Sequence, residues 1–174
     1  MLALIIRNKF RLSSRTSADA TIRKETTLTL ELARELHAPL AEEKIRVPKM
    51  IGIDEDMRDW SVCQTLEHNT IVNHSITRIV QTLAKEEPVV TNFNPKTDVM
   101  PSADAGADQI EAFEESVKQY FAVVEPLESL DSQTIFPHPI FGNFNAHQWH
   151  CMFGFHLMLH RKQIAKAVDL LKAA

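Results

Sequence analysis

An all-α fold, a single-domain bundle of four amphipathic helices, is what this sequence predicts, and three observations predict it. Apolar residues recur at i, i+3 and i+4 through four segments of bundle length. No alternating, β-branched run is bounded like a strand; Val89-Val90-Thr91 is too short to count. Proline-bearing loops separate the four segments, and 174 residues suffice for one core without covalent staples. Residues 1–174 are therefore one domain, with 1–17 as a short N-terminal extension.

That extension opens with Leu2-Ala3-Leu4-Ile5-Ile6, followed by Arg7, Lys9, Arg11 and Arg15, with no acid before Asp19. A secretory signal carries its charges ahead of the apolar stretch, which this one does not. An Arg- and Ser-rich, acid-poor start also suits an organelle transit peptide. The better fit is an amphipathic lead-in, with Leu2, Ile5 or Ile6 and Phe10 resting on the body of the fold.

The first helix is expected over 18–43, with Leu28, Leu32 and Leu36 on one stripe and Pro39 kinking or ending it near His37. The second is expected over 61–87, with Ser61 as N-cap and Pro88 as stop. The third spans 107–130, where Pro126 should bend the last turn. The fourth, 145–172, is the longest; Asn145 and Gln148, three apart, suggest a variant capping box at its start. The loops 45–59, 88–106 and 131–144 are long for a compact bundle, and such loops are more often functional than idle.

Composition excludes several classes. The net charge of −4, from 19 basic against 23 acidic residues, lacks the footprint of a duplex nucleic-acid binder. Four glycines speak against phosphate loops and dinucleotide fingerprints. No apolar run approaches the roughly 18 residues of a membrane span, so no membrane partner is expected. Cys63 and Cys151 make no disulfide scaffold and suit a reducing cytoplasm.

Eight histidines remain to be placed. At about 100° per residue, His156 and His160 straddle the centre of the apolar face of the fourth helix. Their i, i+4 spacing lets two imidazoles converge on one ion. His68 falls on the flank of the apolar face of the second helix, whereas His74, His147 and His150 point away from their core centres. Asn69 lands where a core Leu would be expected, and Gln163 lies one turn beyond His160. So many buried polar groups need partners, at about 1–3 kcal/mol for each one unsatisfied. A hydrogen-bonded network or a water-filled pocket would serve. A metal serves better, given the His-x₃-His pair and a third histidine on another helix. Imidazole suits zinc, nickel, copper and iron(II) alike. Leu157, Met158 and Leu159 fill the pair, so the His-Glu-x-x-His protease arrangement is absent. Cys63 and Cys151 lie off their core centres and are poor ligand candidates. His138, between two prolines in a loop with Phe136, Phe141 and Phe144, is a candidate for the pocket mouth. Tyr120, facing the core of the third helix, is a candidate to bring a hydroxyl near the site.

Two stretches resemble a known family. Trp60-Ser61-Val62-Cys63-Gln64-Thr65-Leu66-Glu67-His68 is similar to the entry into the second helix of DinB/YfiT-like proteins. His138-Pro139-Ile140-Phe141-Gly142, Trp149, His156-x₃-His160 and Gln163 resemble the signature of one bacterial branch, in which another histidine often stands at the place of Leu159. The resemblance implies an up-up-down-down bundle and a metal triad of His68, His156 and His160. It also implies a divalent transition metal, nickel or zinc ahead of iron, and transferase or isomerase relatives using low-molecular-weight thiols. The expectation is a cytoplasmic metal-dependent transferase or hydrolase acting on a small molecule, with a thiol as co-substrate and Asn69 and Gln163 orienting ligands. The alternative is a non-catalytic metal- or ligand-binding module, or a homodimeric scaffold.

Overall fold

The computed structural model describes residues 2–92 and 94–174, with the side chain of Leu2 outside that description. The expectation that Leu2 rests on the body therefore lies outside the described residues. In chain order come α1 (Leu2–Leu12), α2 (Arg15–Arg34), α3 (Ala38–Glu42), a 3₁₀ turn (Glu55–Asp59), α4 (Val62–Ala84) and α5 (Gln109–Val124). A hairpin of β1 (Phe136–His138) and β2 (Gly142–Phe144) precedes α6 (Ala146–Ala173). The fold is mostly helical. Its four long helices share one core, with α2 against α6, α6 against α4, α4 against α5 and α5 against α2. No described helix is long and apolar enough to cross a membrane.

The helix starts are set by side chains. Ser61 Oγ accepts from Gln64 N and Gln64 Oε1 accepts from Ser61 N, a reciprocal box at the head of α4. Asn145 and Gln148 build the same device at the head of α6. At the other end of α5, the Arg15 guanidinium donates to the carbonyls of Leu127 and Val124, both at 2.7 Å. Val124 closes α5 and Leu127 lies just past it, so the contact ties the start of α2 to the end of α5.

Three expectations change. The first helix divides into α2 and α3, because Pro39 can sit only in a first turn and here opens α3. Pro126 does not bend the third helix but follows its end: α5 stops at Val124, short of a residue that cannot donate to the ladder. The segment 131–144 is not strandless, since Phe136 pairs with Phe144 and His138 with Gly142, antiparallel. Gly142 takes a φ of 76°, which favours glycine in such a turn. The lead-in is a helix resting on α6: Phe10 is buried edge-on to Phe144 and Phe155, each at 5.8 Å, while Ile5 stays exposed and Ile6 is half-buried.

Candidate metal centre

His68 leaves the first half of α4, and His156 and His160 leave successive turns of α6 across the seam between the two helices. Their ring centroids lie 5.2 Å (His68–His156), 4.6 Å (His68–His160) and 4.5 Å (His156–His160) apart. One nitrogen from each falls within 4.8 Å of the other two. Among the described residues this is the group of histidine, cysteine and acidic side chains that is placed to hold a metal ion. Trp60 tilts over the His68 ring at 5.1 Å and closes one side.

Hydrogen bonds choose the tautomers. A carbonyl only accepts, so His68 Nδ1–H donates to Val99 O at 2.7 Å and leaves its Nε2 lone pair free. Gln163 Nε2 donates to Met57 O at 2.7 Å, which turns its Oε1 toward His160. His160 Nδ1–H therefore donates to that oxygen at 2.8 Å, and again Nε2 is left as acceptor. His68 Nε2 and His156 Nε2 stand 3.2 Å apart. Two nitrogens bound tetrahedrally to one zinc-sized ion would be about 3.3 Å apart. A contact this short needs a positive centre between the nitrogens. A proton from His156 serves two of them, whereas a metal serves three. His156 Nδ1 is buried with no partner in either case.

Electrostatics prepare the same state. Burial pushes the His160 imidazole down to about 3 and His156 well below its ordinary range, with the neighbouring histidines repelling any added charge. Burial also lowers His68, against the opposing bond to Val99. All three rings are neutral near neutral pH, as metal ligands must be. Three protein ligands leave at least one position open on a four-coordinate ion, which is the pattern of reactive rather than structural sites.

The other expected residues are divided. Gln163 belongs to the site by its bond to His160. Asn69 is buried beside His68 in the chain, with neither side-chain polar atom partnered. His138 stands on β1, its ring against Phe141, Phe144 and Trp149. Tyr120 is not brought to the triad; its hydroxyl lies 2.6 Å from His150 Nδ1, and its ring stacks on Phe153 at 3.9 Å. His150 is no rim residue but fully buried, because α6 packs on more than one apolar stripe: its ring lies between Tyr120 of α5 and Asp19 of α2. Cys63 and Cys151 are likewise buried, not off the core, with thiols pushed up to about 11 and about 12. Thiols held protonated in this way are poor ligands, so the chemical conclusion about them stands.

Leu159 packs under the 50–53 turn, where a Cβ on Gly52 would meet its Cδ1 at 2.8 Å. A histidine at that place would not be needed to complete the triad. Missing from the sequence reading are the carbonyls of Met57 and Val99, since a backbone acceptor leaves no signature in residue type. A surface groove of about 630 Å³ between α2 and α5, lined by Arg23, Glu114 and Phe121 among others, contains no histidine or cysteine. The groups able to do chemistry lie instead in the seam between α4 and α6.

No curated protein and no solved structure matches the chain. The model of the DinB superfamily matches residues 22–164, from within α2 to the last third of α6, and so encloses all three histidines. By that match, over more than half of its length, the chain belongs to the DinB superfamily.

Proposed function

We propose that this chain is a metal-dependent transferase or hydrolase acting on a small molecule, with a low-molecular-weight thiol as co-substrate. Its ligands are His68, His156 and His160, its metal is nickel or zinc ahead of iron, its helices run up-up-down-down, and its compartment is the cytoplasm. The observation that carries the proposal is the convergence of one ring nitrogen each from His68, His156 and His160 out of α4 and α6, with the Nδ1–H groups of His68 and His160 bonded to Val99 O and Gln163 Oε1. A divalent metal bound there would supply Lewis acidity and favour the ionised form of a thiol or water.

The chain's own residues do the positioning. Val99 and the Gln163–Met57 pair hold two imidazoles in one tautomer and orientation. Trp60 and the buried walls keep bulk water from the ligands, which strengthens every charge interaction inside. Membership of a metal-associated superfamily supports the same reading.

Elemental analysis of untagged protein, wild type beside His160→Ala, tests it. About one equivalent of nickel, zinc or iron in the wild type and none in the variant is expected. Turnover of an electrophile panel with several thiols, lost on chelation, is the second expectation. Metal-free protein that stays empty on reconstitution would sink the proposal, and metal without turnover would reduce it to a binding module.

A further inference from the structure

We propose that His138 presents a fixed Nε2–H donor to the ligand held at the histidine triad, and that this ligand carries a carboxylate or carbonyl oxygen to accept it. The inference rests on the metal reading above and adds a residue role and a ligand class to it.

The hairpin turn settles which ring nitrogen holds the proton. His138 Nδ1 receives the backbone N–H of Ile140 at 3.1 Å and that of Phe141 at 3.4 Å. A nitrogen that accepts from N–H groups has no proton of its own, so the neutral ring carries its proton on Nε2. That Nε2–H has no bonding partner among the described residues, and the side chain is half-buried rather than sealed. Burial pushes the imidazole down to about 4, so the ring is neutral near neutral pH. The lone pair that would make His138 a general base is already used by the turn. What remains is a donor.

The ring is also aimed by its neighbours. Phe141, Phe144 and Trp149 surround it at centroid distances of 4.9, 5.7 and 5.3 Å. Trp149 lies two turns before His156 on α6, and Phe141 meets Phe155, the residue next to His156, at 6.2 Å. Seven residues at about 100° each bring Trp149 and His156 to the same face of α6, so the His138 ring packs on the face that carries two of the three histidines. A neutral, rigid donor in an aromatic wall near a cation favours an oxygen acceptor that is negative or strongly polarised. A hydrocarbon tail offers it no acceptor.

Two substitutions separate the functions of the two nitrogens. His138→Asn keeps an acceptor for the turn and removes the Nε2–H. His138→Gln reaches the Nε2 position with an N–H and gives up the turn acceptor. Zinc-loaded protein is titrated with mercaptoacetate and with ethanethiol, which share a thiol and differ in the carboxylate. The expected preference of the wild type for mercaptoacetate falls about tenfold in His138→Asn and less in His138→Gln. In metal-free wild type, ¹⁵N spectra of the histidine rings should show Nε2–H and an unprotonated, hydrogen-bonded Nδ1 at His138. An Nδ1–H tautomer, or an unchanged preference in His138→Asn, overturns the assignment while the metal reading stands. Zinc that is not retained overturns both, and equal metal content in wild type and His156→Ala identifies that case. Should the Asn variant not fold, the wild-type Nε2 resonance decides: a shift on adding mercaptoacetate to zinc-loaded protein supports the donor, and an unmoved resonance overturns it.

Discussion

Gln163 holds His160 much as the Val99 carbonyl holds His68, but it does so with a side chain, which can be changed. Replacing it with Leu leaves a residue of good helix propensity in a buried place, so α6 should persist. The His160 imidazole loses the acceptor that fixes its tautomer, and Met57 O loses its donor. We expect Gln163→Leu to weaken metal binding by about 10–100-fold, measured by competition with a chromophoric chelator. A second buried pair should behave in the opposite way. Tyr120 O–H lies 2.6 Å from His150 Nδ1, and the Asp19 carboxylate 3.2 Å from Nε2 favours the ring proton there, so Nδ1 accepts and the hydroxyl is the donor. His150 Nε2 stands 3.2 Å from Asp19 Oδ1 but off line for a hydrogen bond. Tyr120→Phe preserves the stack on Phe153 and strips His150 Nδ1 of its hydrogen bond. The expected cost is about 1–3 kcal/mol in urea denaturation, with metal content unchanged.

Gly154 marks a close approach of α6 to α2. A Cβ on Gly154 would stand 3.1 Å from Ile22 Cγ1 and 3.2 Å from Thr21 Cγ2, so even a methyl group is tight there and a larger side chain has no space without movement. Gly154→Leu must push the helices apart, at about 1–3 kcal/mol. For a chain of this size each kcal/mol is worth about 2–4 °C. A lower melting temperature is expected, together with weaker metal binding, since His156 is only two residues along. An unchanged melting temperature would mean the seam is looser than its distances indicate. At this scale the limits of sequence are also visible. The long helices were legible because each repeats its apolar stripe over several turns, and α4 and α6 begin at the caps Ser61 and Asn145. The triad was legible because His156 and His160 share one such stripe. The hairpin was not, since three-residue strands carrying Pro137 and Gly142 contain no period. His150 was misplaced because α6 contacts α1, α2 and α4 over its length, so a wide arc of its surface is buried. The carbonyls of Met57 and Val99 are set by loop path alone.

Across the whole molecule, each of the three long loops delivers one group: Met57 O from 45–59, Val99 O from 88–106 and His138 from 131–144. Helices carry the three histidines, and loop carbonyls orient His68 directly and His160 through Gln163, so the integrity of the candidate site and global stability are linked. Their shared dependence is on pH. Burial holds His150 at about 4, His160 at about 3, His138 at about 4 and His156 well below its ordinary range. In the unfolded chain each would titrate near 6.5. Between that value and the folded ones the unfolded state binds protons that the folded state refuses, so stability is fullest above pH 6.5 and falls as pH falls. The loss is about 1.4 kcal/mol per pH unit for each ring. His150 and His160 alone remove about 5 kcal/mol over two units, which is comparable to the whole stability of many domains. Asp19, raised by burial, works in the opposite sense as a single group against five histidines, His68 being lowered as well. Metal-free protein should therefore unfold cooperatively on acidification, with a midpoint near pH 4–5 by far-ultraviolet circular dichroism. Metal binds the neutral rings, so loading should move that midpoint lower by mass action. Equal urea stability at pH 7 and pH 5 would show that these imidazoles take up protons without leaving the folded state, and that the core round them opens to water far below the free energy of unfolding.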